Sequence, residues 1–337
     1  MEQKAVLVTG GAGYIGSHVV RQLGAAGEKV VVLDDLSTGF ADAVLYGDLV
    51  VGSTGDMACL ESIFSRYDID TVMHFAAKTI VPESVADPLK YYGNNTCSSR
   101  TLLEASVRAG VKHFVFSSTA AVYGIPSGGV ADETTPTSPI NPYGTSKLMT
   151  EWMLRDVSAV SPLKHVALRY FNVAGCDPEA RIGQSTPKAT LLTKVACEVV
   201  VGKRDKLHVF GTDYDTPDGT GVRDYVHVED LADAHLKALD YLRAGGESTT
   251  LNCGYGRGYS VREVIQMVER VAGHELAKVE SPRRPGDPPT LIAAADRIRA
   301  VLHWTPRYDD LEKIVSSSLR WERVLLEEPY GRTSGVA

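Results

Sequence analysis

Through the first half of the chain, short apolar runs bounded by glycine or polar residues alternate with longer stretches whose apolar positions recur at helical spacing. Ala5 to Thr9 is a β-branched run that stops at Gly10-Gly11-Ala12-Gly13-Tyr14-Ile15-Gly16, and Ser17 to Gly27 continues with helical periodicity. Further strands are expected at Lys29 to Leu33, Leu49 to Val51, Thr71 to Ala76, His113 to Ser118 and His165 to Tyr170. Helices are expected at Met57 to Arg66, at Asn95 to Ala109 and from Pro142 onward. Strand and helix in alternation imply an α/β fold with a doubly wound parallel sheet of the Rossmann type, with ligands at the carboxyl ends of its strands.

After Ala174 the pattern changes. Gly175 to Pro187 is irregular, Thr190 to Val201 reads as helix, and Leu207 to Phe210 reads as a short strand. Asp213 to Gly221 is acidic and glycine-rich, and the run from Gly221 to Asp230 leads into a helix ending near Leu242. A strand at Thr250 to Asn252, a helix at Val261 to Val271, a loop at Ser281 to Pro289 and a last helix near Leu311 to Leu326 follow. The expected division is a dinucleotide-binding domain over 1–174, with a later segment near 221–245 packing back on it. A second, smaller mixed α/β substrate domain spans 175–330, and 331–337 reads as a frayed tail.

Composition narrows the class. The 337 residues are 44% hydrophobic and 23% charged, as in an ordinary globular protein. A formal charge of -7 and the absence of any run of five Lys or Arg argue against a nucleic-acid or anionic-membrane binder. The N-terminus lacks the features of a secretion signal, and no apolar run reaches the ~18 residues of a membrane span. The five cysteines are odd in number and scattered, which indicates neither a disulfide framework nor a zinc site and fits a reducing, cytoplasmic setting.

The glycine turn between a strand and a helix is suited to a pyrophosphate: it permits a tight turn, a close backbone approach and a helix N-terminus facing the anion. Asp34 and Asp35 end the second strand. A carboxylate there fits a ribose 2′-hydroxyl and repels a 2′-phosphate, favouring NAD over NADP. In Asn141-Pro142-Tyr143-Gly144-Thr145-Ser146-Lys147, proline suits a helix entry, and Ser138 or Asn141 is available to cap it. Tyr143 and Lys147 then share one helix face, where an ammonium beside a phenol would favour the phenolate and make a base. Alone, the same spacing is more often an ordinary surface pair than a base.

Taken together, these motifs resemble the extended short-chain dehydrogenase/reductases and, within them, the UDP-glucose 4-epimerase subfamily, over nearly the whole chain. The resemblance rests on the glycine turn, Asp34-Asp35, His74-Phe75-Ala76, Ser84-Val85, Tyr91-Tyr92-Gly93-Asn94-Asn95, and Phe116 to Gly124. It continues through Tyr143-x-x-x-Lys147, Arg169-Tyr170-Phe171-Asn172, Asp218 to Val228, and the Arg283-Arg284-Pro285-Gly286-Asp287 loop. It implies a homodimer, formed through the helices around Asn95 to Ala109 and Thr145 to Ser158, that epimerises C4 of UDP-hexoses through a 4-keto intermediate.

The resemblance also implies roles. Tyr143 takes the proton of the 4-hydroxyl, Lys147 lowers its pKa and holds the cofactor, and Thr119 hydrogen-bonds the 4-oxygen. NAD contacts fall to Gly10, Gly13, Tyr14, Ile15, Gly16, Asp34, Asp35, Ser53, Phe75, Ala76, Asn94, Tyr143, Lys147 and Tyr170. Substrate contacts fall to Thr119, Tyr143, Phe171, Asn172, Arg223, Arg284 and Asp287, with Leu291 as gatekeeper beside the sugar. A gatekeeper of intermediate size implies UDP-glucose and UDP-galactose as primary substrates with some tolerance of N-acetyl sugars.

Departures from the family pattern stand out at three places. Gly52-Ser53 replaces Gly-Asp, leaving Ser53 or Asp56 for the adenine. Lys78 and Thr79 compete for one lysine position. Leu191 stands where relatives carry Asn or His, removing one polar contact to UDP. The rival readings are a nucleotide-sugar 4,6-dehydratase, a UDP-glucuronate 4-epimerase or decarboxylase, and a non-catalytic NAD-binding regulator. A dehydratase needs an acid and a base after Thr119, where this chain has Ala120-Ala121, and a regulator usually loses the Tyr or the Lys.

Overall fold

The computed structural model describes residues 3–186, 189–284 and 286–327; the tail expected at 331–337 lies outside the described residues. In the first half, the chain runs β1 (Ala5–Thr9), α1 (Tyr14–Ala25), β2 (Lys29–Asp34), β3 (Asp48–Val51), α2 (Met57–Arg66), β4 (Ile69–His74), α3 (Val81–Ala86) and α4 (Pro88–Tyr91). A single wide π-turn (Tyr92–Cys97) then leads into α5 (Ser98–Arg108), β5 (His113–Ser117), β6 (Val130–Ala131), α6 (Pro142–Val160) and β7 (Lys164–Tyr170).

β8 (Asn172–Ala174), α7 (Leu192–Val200), β9 (Leu207–Phe210), β10 (Val222–His227), α8 (Val228–Arg243) and β11 (Thr249–Cys253) follow. The chain ends with β12 (Gly258–Ser260), α9 (Val261–Ala272), β13 (Lys278–Ser281), β14 (Thr290–Ala293), α10 (Asp296–Leu302) and α11 (Leu311–Glu327).

Seven strands, in the order β11-β7-β5-β4-β1-β2-β3, form one sheet in which every pairing is parallel. Parallel strands are covered on both faces, so apolar residues fill both parities of each strand. In β1, Val6 and Val8 join a core with Val19, Val20 and Leu23 of α1. Ala5 and Leu7 point the other way, into a second core with Leu60 of α2, Leu102 of α5 and Leu154 of α6. The strand order reverses between β1 and β4, and at that switch point the carboxyl ends open into a crevice.

Phe171 alone separates β7 from β8, which belongs to a second, mixed sheet of β12, β10, β14 and β6, with β8 alongside β10. The chain therefore crosses between units more often than a boundary at 174 allows. Of the segment near 221–245, β10 belongs to the second sheet, and α8 packs on α1 of the first unit. The unexpected element is β11, assigned by the sequence to the second domain. It hydrogen-bonds to β7 from Thr249↔Val166 to Cys253↔Tyr170 and forms the edge of the seven-stranded sheet. Among the described residues, no helix is long and apolar enough to cross a membrane.

Candidate functional site

The glycine turn is made by contact as much as by sequence. Gly10 has a φ of +73°, and a Cβ on it would lie 2.5 Å from the Ala76 nitrogen; a Cβ on Gly16 would lie 2.2 Å from the Gly10 carbonyl oxygen. Only glycine lets α1 start this close to β1 and to the end of β4. The N-terminus of α1, entered through Gly13 with no side-chain cap, is left facing the crevice. Opposite it, the Asp34 carboxylate accepts from the backbone N–H of Ala12 and of Leu36, both at 2.9 Å. Burial nevertheless pushes its pKa up, whereas the hydrogen bonds from Ser37 hold Asp35 below the usual carboxylate range against a partial burial.

These groups form one end of a cavity of about 620 Å³. Every site residue proposed from the sequence lies on its wall except two, Lys147 and Arg284. Asp56 is also absent from the wall: its carboxylate caps α2 by accepting from Ala58 and Cys59. Gly52, Ser53 and Thr54 do line the cavity. Both Lys78 and Thr79 line it as well, and Lys78 Nζ donates to Ser37 Oγ at 2.9 Å. The segment is held by Asn95, which accepts from Lys78 N at 2.8 Å and donates to Lys78 O and to Ser146 Oγ, each at 3.0 Å.

At the centre, Asn141 caps α6 by accepting from Gly144 N at 2.9 Å, with Pro142 in the first turn. This fixes Tyr143 on the cavity wall, where its side chain hydrogen-bonds to that of Thr119. Thr119 in turn caps the short 3₁₀ turn Ala120–Tyr123 by accepting from Ala121 N at 3.1 Å. Lys147 stands behind this pair: Nζ donates to the Ser117 carbonyl at 2.8 Å and lies 4.9 Å from the centre of the Phe116 ring.

Burial raises the pKa of the Tyr143 phenol, and only its hydrogen bond with Thr119 acts downward; Lys147 is not among the groups that lower it. Lys147 lies one turn along the same helix, and its side chain reaches the end of β5. Burial pushes the Lys147 ammonium down to about 7, with Glu151 acting in the opposite sense. Ser117, given no role from the sequence, supplies the lysine's acceptor, and its hydroxyl pairs with the Tyr170 phenol at 2.7 Å.

His74 faces away from the cavity, bridging Thr9 Oγ1 at 2.6 Å and Ser99 Oγ at 2.7 Å, and burial holds it neutral with a pKa of about 3. Its neighbours Phe75 and Ala76 line the cavity.

The far end belongs to the second unit. Asn172, whose side chain bonds that of Tyr225, stands beside Phe171 and Leu291. Arg223 is half-buried, and its guanidinium donates to the carbonyls of Val222 at 2.8 Å and Pro289 at 3.3 Å. Among the described residues it forms no ion pair, so a desolvated cation faces the cavity with room for an anion. Arg284 sits one step back, its Nε 2.9 Å from Asp287 Oδ2 and its guanidinium 4.9 Å from the Phe210 ring; Asp287 is the member of that pair on the wall. Leu191 lines the cavity as an apolar residue, and α7 starts there without a side-chain cap. The loop before it, with Gln184, Thr186 and Thr190 on the wall, carried no motif in the sequence.

Comparison with known proteins places this geometry. The sequence model of the NAD dependent epimerase/dehydratase family matches residues 6–254. The chain is 57% identical over 328 residues to the UDP-glucose 4-epimerase of Azospirillum brasilense, covering 97% of this chain and 94% of that one. The crystal structure of UDP-glucose 4-epimerase from Bifidobacterium longum, in complex with NAD+ and UDP, superposes with a TM-score of 0.90. It is 39% identical, covering 95% of this chain and 98% of that one. The UDP-Glc/GlcNAc 4-epimerase of Campylobacter jejuni gives a TM-score of 0.83 at 48% identity, covering 95% and 99%.

Proposed function

This chain belongs to the NAD dependent epimerase/dehydratase family, and from that premise we infer that it interconverts UDP-glucose and UDP-galactose by inverting C4 through a 4-keto intermediate. The observation that carries the reading is the convergence, on one cavity, of the hydrogen-bonded Tyr143 and Thr119, the desolvated Arg223 cation, and a dinucleotide cradle closed by Asp34.

The cradle fits NAD: the positions where a Cβ would collide are glycines, the helix N-terminus is free, and the Asp34 carboxylate is pre-oriented by two backbone donors. When bound, NAD supplies the acceptor and donor of the C4 hydride and brings a positive charge into the cavity.

Tyr143 takes the proton of the 4-hydroxyl and returns it to the opposite epimer. Burial alone disfavours its phenolate, so a cation must be present when it acts as base. Thr119 holds the phenol and the 4-oxygen together. Lys147, anchored on the Ser117 carbonyl, presents a positive edge beside the strand end and keeps Ser117 and Tyr170 in place. Arg223, with Arg284 behind Asp287, holds the diphosphate while the sugar turns to offer its other face. Ser53 contacts the adenine, and Lys78 adds a cation on the cofactor side.

The apolar Leu291, with intermediate bulk, ranks UDP-glucose and UDP-galactose first with tolerance of N-acetyl sugars. Ala120 and Ala121 also line the cavity and can move no proton, which disfavours a 4,6-dehydratase. In this assignment the unit of the seven-stranded sheet, with α8, binds NAD, and the unit of the second sheet, with Phe171 and Asn172, binds the UDP-sugar. Exposed Val107 on α5 and Trp152 on α6 support a homodimer through those helices. A cytoplasmic location accords with the free cysteines.

The test is incubation of the purified protein with UDP-galactose, without added NAD. UDP-glucose is the expected product, and a keto-deoxy sugar or no turnover refutes the assignment. Tyr143→Phe is expected to reduce turnover at least ~100-fold with folding intact.

A further inference from the structure

Behind the catalytic wall, on the face of the sheet that α6 covers, a polar network is buried where the apolar core would otherwise continue. Strand alternation turns Tyr170 toward the cavity and its predecessor Arg169 toward α6. There Arg169 donates to Glu151 through Nε, at 3.0 and 3.2 Å, and through Nη2 at 2.6 Å. Ser118 Oγ donates to the same carboxylate. The other arm of the guanidinium donates to Tyr123 Oη at 2.9 Å, which donates to Asn252 Oδ1 at 2.7 Å. Asn252 Nδ2 then donates to the Ala131 carbonyl at 2.8 Å. Ser118, Tyr123, Glu151, Arg169 and Asn252 are all at most 7% exposed.

Two facts set this network apart from a satisfied core pair. A buried ion pair is no better for stability than well-packed apolar residues of the same volume, so stability alone does not require it. Its members also adjoin the reacting groups in the chain: Ser118 precedes Thr119, Glu151 follows Lys147 by one helical turn, and Arg169 precedes Tyr170 and Phe171. We propose that Glu151 and Arg169 are a positioning pair for the epimerisation, locking Thr119 to the Lys147 turn of α6 and balancing the charge around the proton-transfer groups. This rests on the function assigned above.

The groups that face Lys147 make the electrical half explicit. From α6 comes Glu151; from β5 come the Ser117 carbonyl and the Phe116 ring. From β4 comes His74, held neutral by burial. Glu151 is the anion in this set, and Arg169 is its countercharge.

Glu151→Gln keeps the side-chain shape and removes the anion, leaving Arg169 in excess. Lys147 should then lose its proton more readily, moving the limb of the kcat profile that it governs toward acid by roughly one pH unit. At the wild-type optimum kcat should fall about tenfold, with KM for UDP-galactose within about twofold of wild type.

The double variant Glu151→Gln/Arg169→Gln carries no unpaired charge. Its profile should return to the wild-type position while kcat stays low, because the lock between Ser118 and α6 is weakened. A folded Glu151→Gln protein with wild-type kcat and an unshifted profile overturns the proposal. If that variant does not fold, the double variant decides, and wild-type kcat in it overturns the proposal. A wild-type protein without any epimerase activity would instead refute the functional assignment.

Discussion

Gly144 is the residue that lets α6 approach the turn carrying Thr119. A Cβ at this position would lie 2.6 Å from the Ala121 carbonyl oxygen and 3.0 Å from Pro139 Cβ. Ordinary contact begins at 3.4 Å, so Gly144→Ala forces the start of α6 back from Ala121 by about 0.8 Å. The obstacle is a backbone atom in the turn that Thr119 caps, and so cannot swing aside as a flexible side chain would. Tyr143, the preceding residue, moves with the helix and away from Thr119.

Overpacking of this kind costs ~1–3 kcal/mol, but alanine is favoured over glycine inside a helix by up to ~1 kcal/mol, so the net loss of stability is about 0–2 kcal/mol. The chemical step has no such offset: a misplacement near 1 Å costs on the order of 100-fold in rate. We therefore expect kcat for UDP-galactose to fall ~10–100-fold while KM and bound NAD content change little. Steady-state kinetics, cofactor content after denaturation and thermal unfolding on the same preparation separate the terms. Wild-type kcat in a folded Gly144→Ala protein, or a loss confined to KM, would refute the reasoning.

Arg223→Ala removes the cation on the wall and should raise KM for the UDP-sugar ~10–150-fold, the worth of charge-assisted hydrogen bonds of ~1.5–3 kcal/mol, with a smaller change in kcat. Arg284→Ala, acting through Asp287, should raise KM less, and the reverse order in binding titrations would contradict the geometry. Leu291→Gly should raise kcat/KM for UDP-GlcNAc relative to UDP-glucose at least about fivefold; an unchanged ratio would show that this side chain does not gate the sugar. His74, His227 and His235 are buried neutral, with pKa values of about 3, 3 and 4 against 6.5 when exposed. Between those values the unfolded chain binds more protons, so stability is full above pH 6.5 and falls as pH drops toward 4. Each residue contributes ~2 kcal/mol at pH 5, and denaturant midpoints at pH 7 and pH 5 should show a marked loss on the acid side.

What the sequence made legible was local. A strand, a glycine turn, a helix and a carboxylate at the next strand end lie within residues 5–35, and each is dictated by near neighbours, so the cradle could be read directly. The start of α6 was equally local, set by Asn141 and Pro142. What stayed hidden depends on pairing between distant segments. β11 is five residues of ordinary strand character, and only its ladder with β7, some 80 residues away in the chain, assigns it to the first sheet. β8 is three residues long and owes its extended form to β10. The same limit applied to Lys147: helical spacing fixed the face, but whether the ammonium met the phenol or the Ser117 carbonyl depended on how β5 ends. Ser118, Tyr123 and Arg169 stood inside sequence motifs, but their joining with Glu151 and Asn252 into one network was not legible, because the members come from separate segments of the chain.

The central claim is that hydrogen leaves C4 of the sugar, is held inside the protein and returns to the same carbon on the opposite face. UDP-galactose deuterated at C4, converted in ordinary water without added NAD, tests this most directly by proton NMR and mass spectrometry of the product. The account predicts UDP-glucose that keeps its deuterium at C4, with no net change in the redox state of the protein. Deuterium lost to solvent, or a product deoxygenated at C6, would contradict it.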